Sequence, residues 1–399
     1  MDDPILKGIL NGREAFIGPE IVQFDITNHC NNNCLCCWNN SPLLGVPDEE
    51  MRKELNNELP YELIIKTIDD LKAMGTKILF FAGGGEPFMH PRIMDILKYS
   101  KNAGMRVYLN SNFTLIDSQK AREVVEMKVD HIHVSILAAT AATYVKVHPN
   151  KTENTFYTIK EMLKYIARLK AIKNQHLGGP DHPLGPLPHI GMHYVLFNAN
   201  YHEIDAMVNL AIEVHADSVE FPLIDIVPGK TDTLLLGKDE LNFVADELKQ
   251  QVEKIDLYNP TVPVKLQIVN KELFEQRIYA VKASEGKYED TVVTKQPCYV
   301  GWMFLRILAN GNVNSCLKSH RMPVGNIYEH SIREIWDGDK QKEFREKALL
   351  HDPNDAYFNL IGNDPTCKFG CLDSCDNIKI NIEMHQRYGK ALKEHGKIT

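Results

Sequence analysis

Between Ile21 and about Ser218, short runs of β-branched and aromatic residues alternate with longer stretches whose apolar positions recur every three or four residues. The short runs predict six strands, at residues 21–27, 77–83, 106–112, 131–137, 189–197 and 218–224. The longer stretches predict the helices between them. In the fourth, Ile159, Met162, Leu163, Ile166, Leu169 and Ile172 keep to one helical face, which is expected to pack against the sheet. Gly75 and Gly104 follow helical patterns and precede strands, where a glycine ends a helix. Strands alternating with helices build a parallel sheet. The expected fold is therefore α/β, a (β/α)6 partial TIM barrel whose chemistry lies at the C-terminal ends of its strands. Residues 174–188, rich in Gly and Pro, break the rhythm and predict a surface loop, with an active-site lid as the alternative.

After about residue 226 the rhythm fades into a helical connector over residues 238–255, and a turn-rich region begins near Cys298. The expected division is an extension (1–20), the partial barrel (21–230), a connector (231–290), a small C-terminal cysteine module (291–380) and a tail (381–399). A chain of 399 residues with 44% hydrophobic content can bury a full core. Its net charge of -8, with both signs mixed along the chain, argues against nucleic acid as a partner. The first residues lack the pattern of a signal peptide and no apolar run is long enough to span a membrane, so a cytoplasmic protein is expected.

The nine cysteines fall into two groups, and none lies between Cys37 and Cys298. In a reducing compartment such grouping points to metal sites rather than disulfides; buried structural thiols would be scattered through the core. Just past the first strand, Cys30, Cys34 and Cys37 form C-x-x-x-C-x-x-C. Three thiolates on one short loop hold three irons of a four-iron cluster and leave the fourth open to a small chelating ligand. After the second strand comes Gly84, Gly85, Glu86, Pro87, where paired glycines let backbone approach closely and a carboxylate complements an ammonium.

In these two motifs, over about Ile21 to Ile224, the chain resembles the radical S-adenosylmethionine (SAM) superfamily. The resemblance implies that Cys30, Cys34 and Cys37 carry a 4Fe-4S cluster that reductively cleaves SAM. The product is a 5′-deoxyadenosyl radical that abstracts hydrogen from an unactivated carbon. It also implies a GGE motif contacting the SAM amino group, SAM-lining roles for Asn110, Asn112 and Ser135, and a reductant partner such as flavodoxin or ferredoxin. Asn110, Asn112 and Ser135 have strand-end capping as their other reading. The family commonly places an aromatic residue just before the third cysteine, near the adenine; here Cys36 stands there and Trp38 follows. Cys36 is expected to be a bystander, the other readings being a hydrogen-atom donor or an alternative ligand.

Cys298, Gly311 and Cys316 read C-x12-G-x4-C, and Cys367, Cys371 and Cys375 follow. This resembles the SPASM and twitch modules that carry auxiliary clusters in radical SAM enzymes. Five thiols suffice for one fully ligated auxiliary 4Fe-4S cluster with one spare; a four-cysteine zinc site is the alternative. An auxiliary cluster suits net oxidation or rearrangement of a small metabolite, sugar or lipid-linked substrate. The second functional reading is a maturase of a ribosomally made peptide using a separate leader-binding partner, since only about 20 residues precede the first strand. A non-catalytic iron-sulfur carrier is the third, and the GGE motif counts against it. The sequence names no substrate.

Overall fold

The computed structural model describes residues 3–177, 186–262, 265–289, 293, 296–362 and 370–397. All six expected strands form, each shorter at its C-terminal end than the apolar run that predicts it. They are β1 (Ile21–Phe24), β2 (Ile78–Phe81), β3 (Arg106–Ser111), β4 (His131–Ser135), β5 (His189–His193) and β6 (Ser218–Glu220). They pair in parallel in that order, so the α/β barrel expectation holds. The residues beyond each strand, such as Asp25–Thr27 and Asn112, turn away from the ladder and become the rim on which the site is built.

Two further parallel strands escaped the sequence reading. Gln267–Ile268 (β7) joins β6, and Phe304–Ile307 (β8) joins β1 with Ile21 opposite Phe304 and Phe24 opposite Ile307. Asn312–Asn314 (β9) and Gly325–Asn326 (β10) continue from β8 as an antiparallel edge, completing a ten-stranded sheet. The cysteine-rich region therefore grows directly out of the barrel sheet. Strands β7 and β10 have two residues each, too short for alternation to register.

One face of the central strands is buried throughout, and the other stays mostly half-buried. Val22, Phe24, Leu79, Phe81, Val107, Leu109, Ile132 and Val134 are fully buried under the outer helices, and Phe24 stacks on Phe81 at 5.9 Å. Helix Glu153–Leu177 buries Ile159, Leu163 and Ile166 as expected, with Met162 and Leu169 at the edge of the contact. Ile172 is a correction: it is 54% exposed, because the helix runs past the sheet it packs on. The same helix continues to Leu177, into the stretch predicted as loop; residues 178–185 of that stretch lie outside the described residues. Gly75 ends helix Tyr61–Met74 at φ 89°, a left-handed conformation that suits a residue without Cβ. No helix among the described residues is long and apolar enough to cross a membrane.

Candidate active site

The first cysteine loop runs from the end of β1 across the top of the barrel. Leu35 N donates to Val147 O, and Cys37 N to Cys34 O, a turn that brings the second and third cysteines of the motif together. Asparagines missed by the sequence reading tie this loop down. Asn112 Nδ2 donates to Asn31 Oδ1 at 2.8 Å, Asn31 Nδ2 to Thr114 Oγ1 at 2.8 Å, and Asn150 Nδ2 to Asn31 O at 3.0 Å. Their signal was present, since asparagine recurs through residues 28–40 and short amides bond readily to nearby backbone.

Burial pushes all four thiols of this region up: Cys30 to about 11, Cys36 to about 12, Cys34 well above its ordinary value, and Cys37 upward too. Mutual repulsion among thiolates adds to the effect at Cys30, Cys34 and Cys36. Polar hydrogens also aim at sulfur, since Asn40 N donates to Cys37 Sγ at 3.2 Å and Asn32 N to Cys30 Sγ at 3.5 Å. A buried set of thiols is stable as thiolates only with cationic charge among them, which iron supplies. Cys36 packs against the hydrophobic core.

The glycines after β2 make room for the chain. A Cβ on Gly85 would lie 2.2 Å from His29 O, and one on Gly84 1.9 Å from Asn28 Oδ1, so this turn and the cysteine loop are pressed together. Gly85 is therefore required by backbone-to-backbone contact, beyond the approach to a ligand that its spacing suggests. Glu86 is buried and already engaged: Oε1 accepts from Phe88 N (3.1 Å) and Ser111 Oγ (2.9 Å), and Oε2 from Asn112 N (2.7 Å). Burial outweighs these donors and raises its pKa to about 7. Three of its roughly four acceptor positions serve the fold, leaving one for an outside donor.

Asn110, Asn112 and Glu86 gather at the ends of β2 and β3, and Ser135 ends β4. Asn110 Oδ1 is buried with no hydrogen-bond partner among the described residues, as expected of an acceptor awaiting a ligand hydrogen. Asn112 is occupied in positioning Asn31 and Thr114. Trp38 meets the C-terminal region. It is 40% exposed, lies over His320 at 6.3 Å, and carries the Arg306 guanidinium 5.6 Å from its ring.

That contact leads to the second cysteine region. Cys298, Cys316, Cys371 and Cys375 line one small hollow of about 40 Å³ with Val300, Phe344, Phe358 and Ile378. Four ligands from separate segments converge there, held by Asn381 Nδ2 donating to Cys298 Sγ at 3.5 Å, Leu317 N to Asn377 Oδ1, and Arg277 Nη2 to Cys375 O. Burial raises the Cys298 thiol to about 12 and the Cys316 and Cys375 thiols as well. Cys367 lies outside the described residues.

A narrow seam of about 60 Å³ lies between the two regions, lined by Trp38, Asp225, Arg306, Lys318, His320 and Asp376. Arg306 bridges it, its Nη2 on Asp25 Oδ2 (2.6 Å) and its Nη1 on Leu317 O (2.8 Å). Lys318 sits between Asp225 and Asp376, which hold its charge in place despite burial.

Comparison with known proteins agrees with this geometry. The family model described as radical SAM superfamily matches residues 24–210, and that of an iron-sulfur cluster-binding domain, SPASM, matches residues 298–371. A cofactor-modifying protein of tungsten-containing aldehyde ferredoxin oxidoreductase from Pyrococcus furiosus is 25% identical over 90% of this chain and 89% of its own. The AdoMet-dependent heme synthase of Methanosarcina barkeri is 26% identical over 88% and 89%. Among solved structures, native anSMEcpe with bound AdoMet and a peptide superposes with a TM-score of 0.61 at 14% identity, covering 96% of this chain and all of that one. At that identity the likeness is one of fold.

Proposed function

This chain belongs to the radical SAM superfamily and carries a C-terminal SPASM module, and from that premise we propose that it oxidises or rearranges a non-peptide organic molecule, in the class of large cofactors. The family implies 4Fe-4S clusters and SAM, and an external one-electron reductant, for which we propose flavodoxin or ferredoxin. The observation that carries the substrate reading is the pair of relatives aligned over about nine-tenths of both chains, whose names are cofactor-modifying protein and heme synthase. The peptide-bound structure supports the fold and adds nothing on substrate.

In this reading Cys30, Cys34 and Cys37 hold the SAM-binding cluster, and Cys298, Cys316, Cys371 and Cys375 the auxiliary one. A cluster held by the first set would supply the electron for reductive cleavage of SAM, and one held by the second could accept the electron an oxidised product gives up. Asn110 Oδ1 accepts a hydrogen bond from SAM, and the last acceptor position of Glu86 faces its ammonium. Asn112, Asn31 and Gly85 fix the loop. The seam lined by Trp38, Arg306 and Lys318 would hold the substrate. The test is anaerobic turnover of reconstituted, reduced protein: 5′-deoxyadenosine and methionine should form, and Cys34→Ala should form none. Addition of porphyrin- or pterin-type cofactors should then yield product, with deuterium passing from labelled substrate into deoxyadenosine; labelled peptides accepted in their place would refute the substrate class.

A further inference from the structure

Within the barrel, three neighbouring strands carry a polar cluster that neither cysteine region uses. On β4, Ile132 and Val134 pack into the hydrophobic core, while His131 and His133 stack on the opposite face with ring centroids 3.9 Å apart at 11°. His133 meets His193 of β5 edge-on at 6.3 Å, and His193 Nδ1 lies 3.2 Å from Glu220 Oε2 on β6. Strand register enforces this, because His193 is paired with Ser135 on one side and Glu220 on the other. His133, His193 and Glu220 each offer a ligand atom, and these atoms all lie within 4.8 Å of one another.

We infer that His133, His193 and Glu220 form a mononuclear site for a divalent transition-metal ion. Two imidazole nitrogens and one carboxylate oxygen are a donor set that binds zinc or ferrous iron and leaves further positions open. The protonation states suit it. Burial lowers His133 to about 4, so its ring is neutral and keeps a lone pair. Burial disfavours charge on Glu220 too, but hydrogen bonds from His193 and Asn270 lower its pKa, so it stays a carboxylate at neutral pH. Asn270 Nδ2 donates to Glu220 Oε1, an outer contact of the kind that orients a ligating carboxylate. The side chains of His193 and Glu220 keep 24% and 22% of their surface exposed, so an ion and a further ligand have access.

The ion's open positions would take an oxygen or nitrogen of the molecule bound at the barrel mouth, an inference that stands whatever that molecule is. Its test uses the cluster-loaded holoenzyme with both clusters in their oxidised, EPR-silent state, titrated anaerobically with Mn2+, which prefers nitrogen and oxygen donors to thiolates. One equivalent per chain should leave the free six-line signal, and pulsed EPR of the bound ion should show couplings to histidine nitrogen. His193→Gln and Glu220→Gln should each weaken binding at least tenfold while cluster iron and absorbance stay as in the parent. Mn2+ that remains free, binds the variants equally, or binds without nitrogen coupling would overturn the assignment.

Discussion

The two cysteine regions solve the same problem, burying thiols that must become thiolates, in opposite ways. The first takes three cysteines from eight consecutive residues and presses them against a glycine turn. The second draws four from segments scattered over residues 298–375 into an apolar hollow. Ligand count separates their roles. Three sulfurs leave one corner of a cubane for a cosubstrate, whereas four close it, just as zinc sites with a vacant position react and saturated ones do not. Sequence distance separates their means of assembly: a loop with local order is set by its own turns, and a dispersed set exists only once β8 and the terminal helix Ile378–Glu394 have docked.

The strongest test of this contrast removes one ligand from the closed site. Cys375→Ala should cost most of the iron of one cluster while deoxyadenosine release persists, uncoupled from substrate oxidation, which should fall at least a hundredfold; iron analysis and product assay read the two separately. Next is Gly85→Ala, which sets a methyl against His29 O and should cost several kcal/mol locally. SAM cleavage should drop about tenfold or more, with the auxiliary cluster's iron unchanged. A smaller effect is expected at Glu86. Its pKa is raised above the unfolded value, so its contribution is complete below about pH 4.5 and is lost as pH rises through about 7. Wild-type protein should lose up to about 3 kcal/mol of stability relative to Glu86→Gln across that window, followed as the difference in Tm. Smallest of all is Cys36→Ala. If the open site truly uses three thiols, iron content and SAM cleavage should stay within twofold of wild type, with about 1 kcal/mol lost from packing.

The legibility of the molecule follows the same divide. The strand–helix rhythm, the cysteine loop and the glycine turn are local, and each appears in the sequence as spacing or period. Strands β7 and β8 do not, because the residues they pair with in β6 and β1 lie 49 and 283 positions away and only tertiary contact gives them their place. Ile172 shows the limit from the other side: its helical phase is right, but periodicity cannot tell where the sheet beneath it ends. Trp38 shows the same limit, since it rests on His320, a neighbour contributed by the far end of the chain that no local spacing reveals. His133, His193 and Glu220 sit one per strand on three strands, and no motif registers a cluster assembled purely by register.

Because β8 is hydrogen-bonded to β1 along its whole length, and Arg306 fastens Asp25 to Leu317, the separation between the two cysteine regions is set by the pitch of a sheet rather than by a linker. The seam is thus a slot of fixed gauge cut into one block. For the substrate placement proposed above, selection would become a matter of thickness and reach before any chemistry begins.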